Sequence, residues 1–186
     1  QTALSVALAS DGDSLKWSKL LVNLAGNATA AILDMLPASI YRNGALFGVE
    51  LAALREALWI MRLKGFAPQN LPGIPARTLS ALVQRVPAPL LRPLLAHRMQ
   101  TGRGGKLPSL LEALRAGQRR TEVAWLNGAV AQAADSLRRF VPINHTLALI
   151  VSDIAAGRTP WEVFRHRPDM LLTAMRAVEG LSQQGR

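Results

Sequence analysis

The stretch Lys19-Leu-Leu-Val-Asn23-Leu-Ala-Gly-Asn27 lies in the first strongly periodic segment of the chain. Its polar side chains recur at every fourth residue. Because a helix turns by about 100° per residue, the lysine and the two asparagines are expected along one stripe of a helix. The apolar residues between them predict that this helix packs on most of its sides. Its polar groups therefore need partners, which are either the neighbouring backbone in a core helix or a bound ligand.

Helical periodicity continues along the chain, and no alternating strand pattern competes with it. The first helix is expected to follow an N-cap at Asp13 or Ser14, to end at about Leu36 and to be the long central helix. A chain of 186 residues with 49% hydrophobic content can bury a large core, so we expect one all-α domain over 1–186. Further helices are predicted at Arg42 to Lys64, with Gly65 as C-cap, and at 108–116, 120–138, 143–156, 160–166 and 168–182.

Prolines punctuate the segment 67–108, where they exclude long helices and leave short ones at about 78–86 and 90–99. We expect this segment to pack as a cap or as a dimer arm. Within it, Gly102-Arg-Gly-Gly-Lys106 imitates a phosphate-binding loop, but Leu107 stands where such a loop requires serine or threonine. The loop is therefore expected to be a flexible connector.

The charge is strongly positive, with 22 Lys plus Arg against 12 Asp plus Glu and a net charge of +10. Such a balance is typical of proteins that bind nucleic acids or anionic membranes. However, the basic residues are scattered, with no aromatic-rich sheet between them, and no run of 18 apolar residues occurs. We therefore expect neither a nucleic acid nor a membrane as partner. A carboxylate substrate and a phosphorylated cofactor are both anions, and they would explain the positive net charge equally well.

Several chemistries are excluded by composition. The chain has no cysteine, which rules out disulfides, thiolate zinc sites and a cysteine nucleophile, and favours a reducing, cytoplasmic compartment. The histidines at 97, 145 and 166 are isolated, so no metal site is expected. The start at Gln1 carries no signal-like pattern and looks like a cut inside a longer protein.

A second stretch is Pro108-Ser109-Leu-Leu, followed by Gly117-Gln-Arg-Arg-Thr121-Glu122-Val-Ala-Trp-Leu-Asn127-Gly128. Together with the Lys19 stretch and the later Pro142-Ile-Asn144, it resembles the C-terminal domain of the ketopantoate reductase (2-dehydropantoate 2-reductase) family, in the same order, over roughly residues 14 to 155. The resemblance implies a helical fold similar to that of the 6-phosphogluconate dehydrogenase C-terminal domain. It also implies an N-terminal Rossmann domain, which is missing from this chain and would bind most of the NADPH.

The resemblance also implies roles for individual residues in the reduction of a 2-oxo acid, which in pantothenate biosynthesis is ketopantoate. Lys19 would donate the proton to the developing alkoxide. Asn23 and Asn27 would bond the substrate's hydroxyl and carbonyl oxygens or hold the lysine. Ser109 would donate to the carboxylate. Glu122 would bind the substrate hydroxyl and set the charge around the lysine.

Two features leave parts of this interpretation open. Ala113 stands where the family often has an acidic residue, so the particular 2-oxo acid is not determined. Glu56 and Gly65 match a spacing of the family, but a solvated helix charge explains Glu56 at least as well.

Two classes of function therefore remain. The chain is either the substrate-binding and dimerising half of an NADPH-dependent reductase, possibly a homodimer, or a helical binding or scaffolding module that has lost the chemistry. In the first case the five side chains should converge on one concave surface, with Glu122 in direct or water-mediated reach of Lys19.

Overall fold

A computed structural model describes residues 11–101 and 106–184 of the chain. Over these residues the secondary structure is helical and contains no strand, which confirms the predicted all-α class. Residues 102–105 of the predicted connector lie outside the described residues. The helices are α1 Gly12–Leu24, α2 Ala28–Leu33, α3 Pro37–Arg42, α4 Gly44–Leu63, α5 Ala76–Arg85, α6 Ala88–Thr101, α7 Ser109–Arg115, α8 Asn127–Ser136, α9 Pro142–Ala155 and α10 Pro168–Gln184, with short 3₁₀ turns at Glu122–Trp125 and Trp161–Val163.

The first helix is shorter than predicted. Its N-cap is Asp11, not Asp13 or Ser14, and the helix ends at Leu24. A turn at residues 25–27 separates α1 from α2, because Gly26 adopts a φ of 63° and a Cβ there would lie 2.9 Å from Cβ of Pro37. Asn27 therefore stands in the turn and does not continue the helical stripe of α1.

The central helix is α4, not the first helix. It packs against α1, α3, α5, α6, α8, α9 and α10. Its N-terminus is capped by the side chain of Asn43, which accepts hydrogen bonds from the backbone N–H groups of Ala45 and Leu46 at 3.0 and 3.1 Å. Its C-terminus is followed by Gly65 at a φ of 75°, as the sequence predicts.

Three further helix predictions are wrong. The predicted helix 120–138 is broken at Leu126, whose φ of −109° and ψ of −102° separate a 3₁₀ turn from α8. The predicted helix 160–166 is only the short turn Trp161–Val163. In contrast, α6 extends over 14 residues with Pro93 inside it. Pro93 is exposed and removes a single backbone hydrogen bond, which the burial of Leu91 and Leu95 on the opposite face offsets.

Glu56 is part of the architecture and is not a solvated helix charge. Its carboxylate accepts hydrogen bonds from the backbone N–H groups of Ile143 and Asn144 at 3.0 and 2.9 Å, and from the amide of Asn144 at 2.8 Å. It thereby caps the N-terminus of α9. The buried amide of Asn127 donates to Asn144 at 3.0 Å and extends this network to α8.

A buried carboxylate ends α2. Asp34 accepts hydrogen bonds of 2.7 Å from Nε of Arg115 and from Nε of Arg165. Burial on its own raises the pKa of Asp34, but the hydrogen bonds and charges of the two arginines outweigh burial and hold the pKa below its ordinary value. The two ion pairs connect α7 and the segment before α10 to the end of α2.

The described residues contain neither a membrane-spanning helix nor a cluster of metal-ligating side chains. Over 11–101 and 106–184, no helix has the length and apolar character needed to cross a membrane. In the same ranges, no three or more His, Asp or Glu side chains come together as metal ligands would.

Candidate functional site

A cavity of about 560 Å³ lies between the turn that follows α1, the start of α7 and the paired helices α5 and α6. Its volume is in the range of small-molecule sites. Four of the five side chains singled out by the sequence line it. The polar side chains relevant to binding are Asn23, Asn27, Ser109, Glu122, Arg98 and Lys106.

Asn27, Ser109 and Glu122 form a continuous line of hydrogen bonds along one wall. The amide nitrogen of Asn27 donates to the hydroxyl of Ser109 and to the carbonyl of Asn23, each at 3.2 Å. The amide oxygen of Asn27 accepts from the backbone N–H of Leu110 at 3.1 Å. The Ser109 hydroxyl in turn donates to the Glu122 carboxylate. Asn27 therefore joins the turn after α1 to the N-terminus of α7.

Asn23 differs from Asn27 in its surroundings. Its side chain is exposed at the cavity, whereas that of Asn27 is buried. Among the described residues, the side-chain amide of Asn23 forms no hydrogen bond. It is therefore available to a ligand.

Lys19 stands apart from the other four residues. It lies one helical turn before Asn23, its side chain is exposed, and it is not among the residues that line the cavity. Over the ranges 11–101 and 106–184 it forms no ion pair. The sequence predicts that Glu122 contacts Lys19 either directly or through a water molecule. The direct contact is therefore not made.

The opposite wall comes from the proline-punctuated segment, which encloses the cavity. Its surface is largely apolar and is built by Leu79, Leu82, Leu94, Leu95 and Met99. Helix α6 is held on α3, since Arg42 donates to the side-chain oxygen of Gln100 at 2.7 Å. The segment thus acts as a cap over the site, while its predicted use as a dimer arm stays a prediction.

The site depends on a buried acid that the sequence analysis missed. The Glu50 carboxylate accepts hydrogen bonds from the backbone N–H of Gly26 at 2.6 Å, from the Tyr41 hydroxyl at 3.0 Å and from the Thr29 hydroxyl. These bonds fix the turn that presents Asn27. An acidic residue between the apolar Val49 and Leu51 of a core helix was the available signal, because a buried carboxylate needs several donors.

Residues 11–155 match a sequence model of the C-terminal domain of PanE/ApbA ketopantoate reductases. The chain belongs to this family. None of the curated proteins compared with the chain matches it. A crystal structure of a PanE/ApbA family ketopantoate reductase from Ralstonia eutropha JMP134 is similar in fold, with a TM-score of 0.62 and 22% sequence identity. The similarity covers 81% of this chain and 43% of that chain, so this PanE/ApbA domain spans less than half of the relative's length.

All five predicted site residues fall inside the matched PanE/ApbA region, as do Glu50, Arg98 and Lys106. Arg98 and Lys106 were not predicted as site residues. They lie in the proline-punctuated segment and just before α7, and only the packing of α5 and α6 over the turn after α1 brings them to the cavity.

Proposed function

We propose that this chain is the substrate-binding and dimerisation domain of an NADPH-dependent 2-oxo acid reductase similar to ketopantoate reductase. The observation that carries the proposal is the line of hydrogen bonds from Asn27 through Ser109 to Glu122, on a cavity that also exposes the Asn23 amide. Asn27 and Ser109 are 82 positions apart in the chain, so local structure does not require their meeting. A shared site explains it.

The cofactor would be held mainly by an N-terminal Rossmann domain of the parent protein. Pyrophosphate binding needs a glycine-rich loop between a strand and a helix, and the described residues contain no strand to carry such a loop. When bound, NADPH would supply the hydride. The reduced cofactor and the absence of cysteine together support a cytoplasmic location.

Reduction of the oxo group requires a proton for the developing alkoxide, and Lys19 is proposed to donate it. It lies about 6 Å along the axis of α1 from Asn23, a distance that the flexible four-carbon stem of lysine spans. Docking of the Rossmann domain over the open cavity would remove water from the rim and turn the ammonium group inward. Glu122 would then provide its counter-charge, and the Asn23 amide would hold the substrate oxygen.

The direct test uses the full-length parent protein with a panel of 2-oxo acids and NADPH. We expect reduction of at least one 2-oxo acid by the parent, and neither activity nor micromolar NADPH binding by the 186-residue chain alone. Micromolar NADPH binding by the chain in calorimetry would show that the cofactor site lies elsewhere than proposed.

A second candidate is a helical binding or scaffolding module that keeps the fold without the chemistry. It is favoured by one observation, the exposure of Lys19 without an ion pair to Glu122 among the described residues. It predicts a parent protein that reduces no 2-oxo acid and whose stability is unchanged by NADPH.

A further inference from the structure

Helix α2 is short and buried, and the hydrogen bonding at its C-terminal end is incomplete without help from another segment. All six of its residues are buried. The last four backbone carbonyls of a helix have no partner within that helix. In α2 the carbonyl of Ala30 accepts from the backbone N–H of Met35 at 3.2 Å. The carbonyls of residues 31–33 need partners from elsewhere, because an unpaired buried carbonyl is costly.

Residues 161–166, which we call the clamp segment, supply those partners. The indole N–H of Trp161 donates to the carbonyls of the two residues before Leu33, at 3.0 and 2.9 Å. The backbone N–H of His166 donates to the carbonyl of Leu33 at 2.8 Å. The clamp segment therefore completes the hydrogen bonding of α2, and its indole bonds span 130 and 129 positions of the chain.

The clamp segment is itself held in a defined conformation. Arg165 donates to the Asp34 carboxylate at 2.7 Å, and its guanidinium carbon lies 5.1 Å from the centre of the Trp161 ring. His166 has a φ of 56°, which residues other than glycine rarely adopt. A residue keeps such a conformation only where the surrounding contacts impose it. The indole donor is therefore presented to α2 in a fixed geometry.

The other end of α2 carries the candidate site. Asn27 directly precedes the helix, and its side chain does not cap α2 but bonds Ser109 and the backbone N–H of Leu110. A helix of six residues is about 9 Å long and depends on tertiary contacts for its stability. Because α2 is packed against α3, α7 and α9, a displacement of its C-terminus is passed along the helix to Asn27.

We infer that the clamp segment positions Asn27 through α2, and that Trp161 is a positioning residue for the cavity. The match to the family ends at residue 155, so this contribution comes from a part of the chain outside the matched region. Loss of the Trp161 donor loosens α2 and separates Asn27 from Ser109. The loosening of α2 is independent of the proposed function, whereas its effect on 2-oxo acid binding rests on that function.

The test compares Trp161→Phe with two controls in the full-length parent protein. Trp161→Phe keeps an aromatic ring and removes the indole donor. Leu171→Val removes one buried carbon from α10, which packs against α4 and α9, and so lowers stability without removing a bond to α2. Trp59→Phe controls for the change of ring, since Trp59 is also partly buried but its indole forms no hydrogen bond among the described residues. Urea denaturation ranks the stability of the variants.

The first measurement is hydrogen exchange of the backbone N–H groups at 26–33, followed by mass spectrometry. In Trp161→Phe exchange at 26–33 should quicken by about 10-fold more than exchange in α4, because the opening is local. In Leu171→Val the two regions should quicken equally, and Trp59→Phe should match wild type. Equal acceleration of both regions in Trp161→Phe, or wild-type rates at 26–33, would overturn the inference.

The second measurement is the KM of each substrate of the parent protein. Trp161→Phe should raise the KM for the 2-oxo acid by about 10-fold and leave the KM for NADPH unchanged, since the cofactor is held mainly by the Rossmann domain. A merely structural role would move neither KM in the folded enzyme, and Leu171→Val should move neither. The same rise in Leu171→Val, or no rise in Trp161→Phe, would overturn the positioning role.

The two measurements separate this inference from the proposed function. If the parent reduces no 2-oxo acid, the proposed function fails, and exchange at 26–33 still decides whether the clamp segment holds α2. If Trp161→Phe does not fold, Arg165→Gln tests the same segment against Arg158→Gln, which removes an ion pair with Asp153. Exchange at 26–33 should be severalfold faster in Arg165→Gln than in Arg158→Gln, and equal rates would overturn the inference.

Discussion

The hydroxyl of Ser109 donates its hydrogen bond to the carboxylate of Glu122, although the two residues are 13 positions apart in the chain. The bond joins the first residue of α7 to the first residue of the 3₁₀ turn at 122–125. It uses the hydroxyl proton of Ser109 and leaves the other carboxylate oxygen of Glu122 for a ligand or for Lys19. The hydrogen bond from Ser109 therefore fixes the orientation of the Glu122 carboxylate.

The two asparagines of the site should respond differently to alanine substitution. Asn27→Ala removes the buried link between the turn after α1 and the N-terminus of α7, and should lower the free energy of unfolding by about 1–3 kcal/mol. Asn23→Ala removes an exposed amide and should change it by less than about 0.5 kcal/mol. Urea denaturation measures both. Equal losses would mean that Asn23 is also a structural residue.

Gly26 should tolerate no side chain. Gly26→Ala forces a Cβ to 2.9 Å from Cβ of Pro37 at a positive φ, so we expect a loss of about 2–4 kcal/mol. Gly65→Ala is the matched control, since Gly65 also has a positive φ but an added Cβ meets nothing within 4 Å, and it should cost about 1 kcal/mol. Similar losses in urea denaturation would show that the contact with Pro37 relaxes freely.

Glu50 should support the site from within the core. Glu50→Gln keeps the volume but replaces one acceptor oxygen by a donor that faces N–H and O–H groups, so unfolding should become easier by about 1–3 kcal/mol. Because the turn at 25–27 loosens, 2-oxo acid binding should weaken as well. Glu162→Gln, at an exposed carboxylate, should alter neither quantity. Unchanged stability in Glu50→Gln would contradict the role assigned to this carboxylate.

Asp34 should make stability depend on acid pH. Its pKa is held below the ordinary value in the folded state, so the ionised form stabilises the fold at neutral pH and this contribution is lost as the pH falls through the folded pKa, below about pH 4. Asp34→Asn should therefore lower the free energy of unfolding by about 1–3 kcal/mol at pH 7, since its two arginines are half exposed.

At pH 2.5 the wild-type protein and Asp34→Asn should differ by less than at pH 7, because protonation of Asp34 in the unfolded chain removes part of the contribution there. Asp153→Asn, which removes a surface ion pair with Arg158, should cost under about 1 kcal/mol at pH 7. An Asp34→Asn deficit of the same size at both pH values would show that the ionisation of Asp34 does not stabilise the fold.

Part of the helical architecture could be predicted from the local sequence pattern. The helical period predicted α4 and α9 closely, because both carry continuous apolar faces and each is followed by a glycine at positive φ, Gly65 or Gly157. The break after α1 was missed, since the four-residue spacing of Lys19, Asn23 and Asn27 continues through Gly26 as if the helix did. The break follows from the close packing of Pro37 against Gly26. This is a tertiary contact, so the local sequence does not predict it.

The site was predictable only in outline. The order of separated motifs pointed to Ser109 and Glu122, but the contact between Asn27 and Ser109 spans 82 positions, and no spacing rule yields it. Arg98 and Lys106 gave no local signal, because scattered cations in a basic chain look alike until the chain folds. The position of Lys19 outside the cavity lining is likewise a tertiary property.

We propose that this chain serves a 2-oxo acid reductase in which Lys19 is the proton donor. The most direct measurement is NADPH oxidation by the full-length parent with a panel of 2-oxo acids, for the wild-type protein, Lys19→Ala and Lys16→Ala. Lys16 is the control, an exposed lysine of the same helix that pairs only with Asp13, at 3.6 Å, among the described residues. We predict reduction by the wild-type protein, a fall in kcat of about 10²–10⁴-fold in Lys19→Ala, and no change in Lys16→Ala. A parent that reduces no 2-oxo acid, or a folded Lys19→Ala variant with near-normal kcat, would contradict the claim.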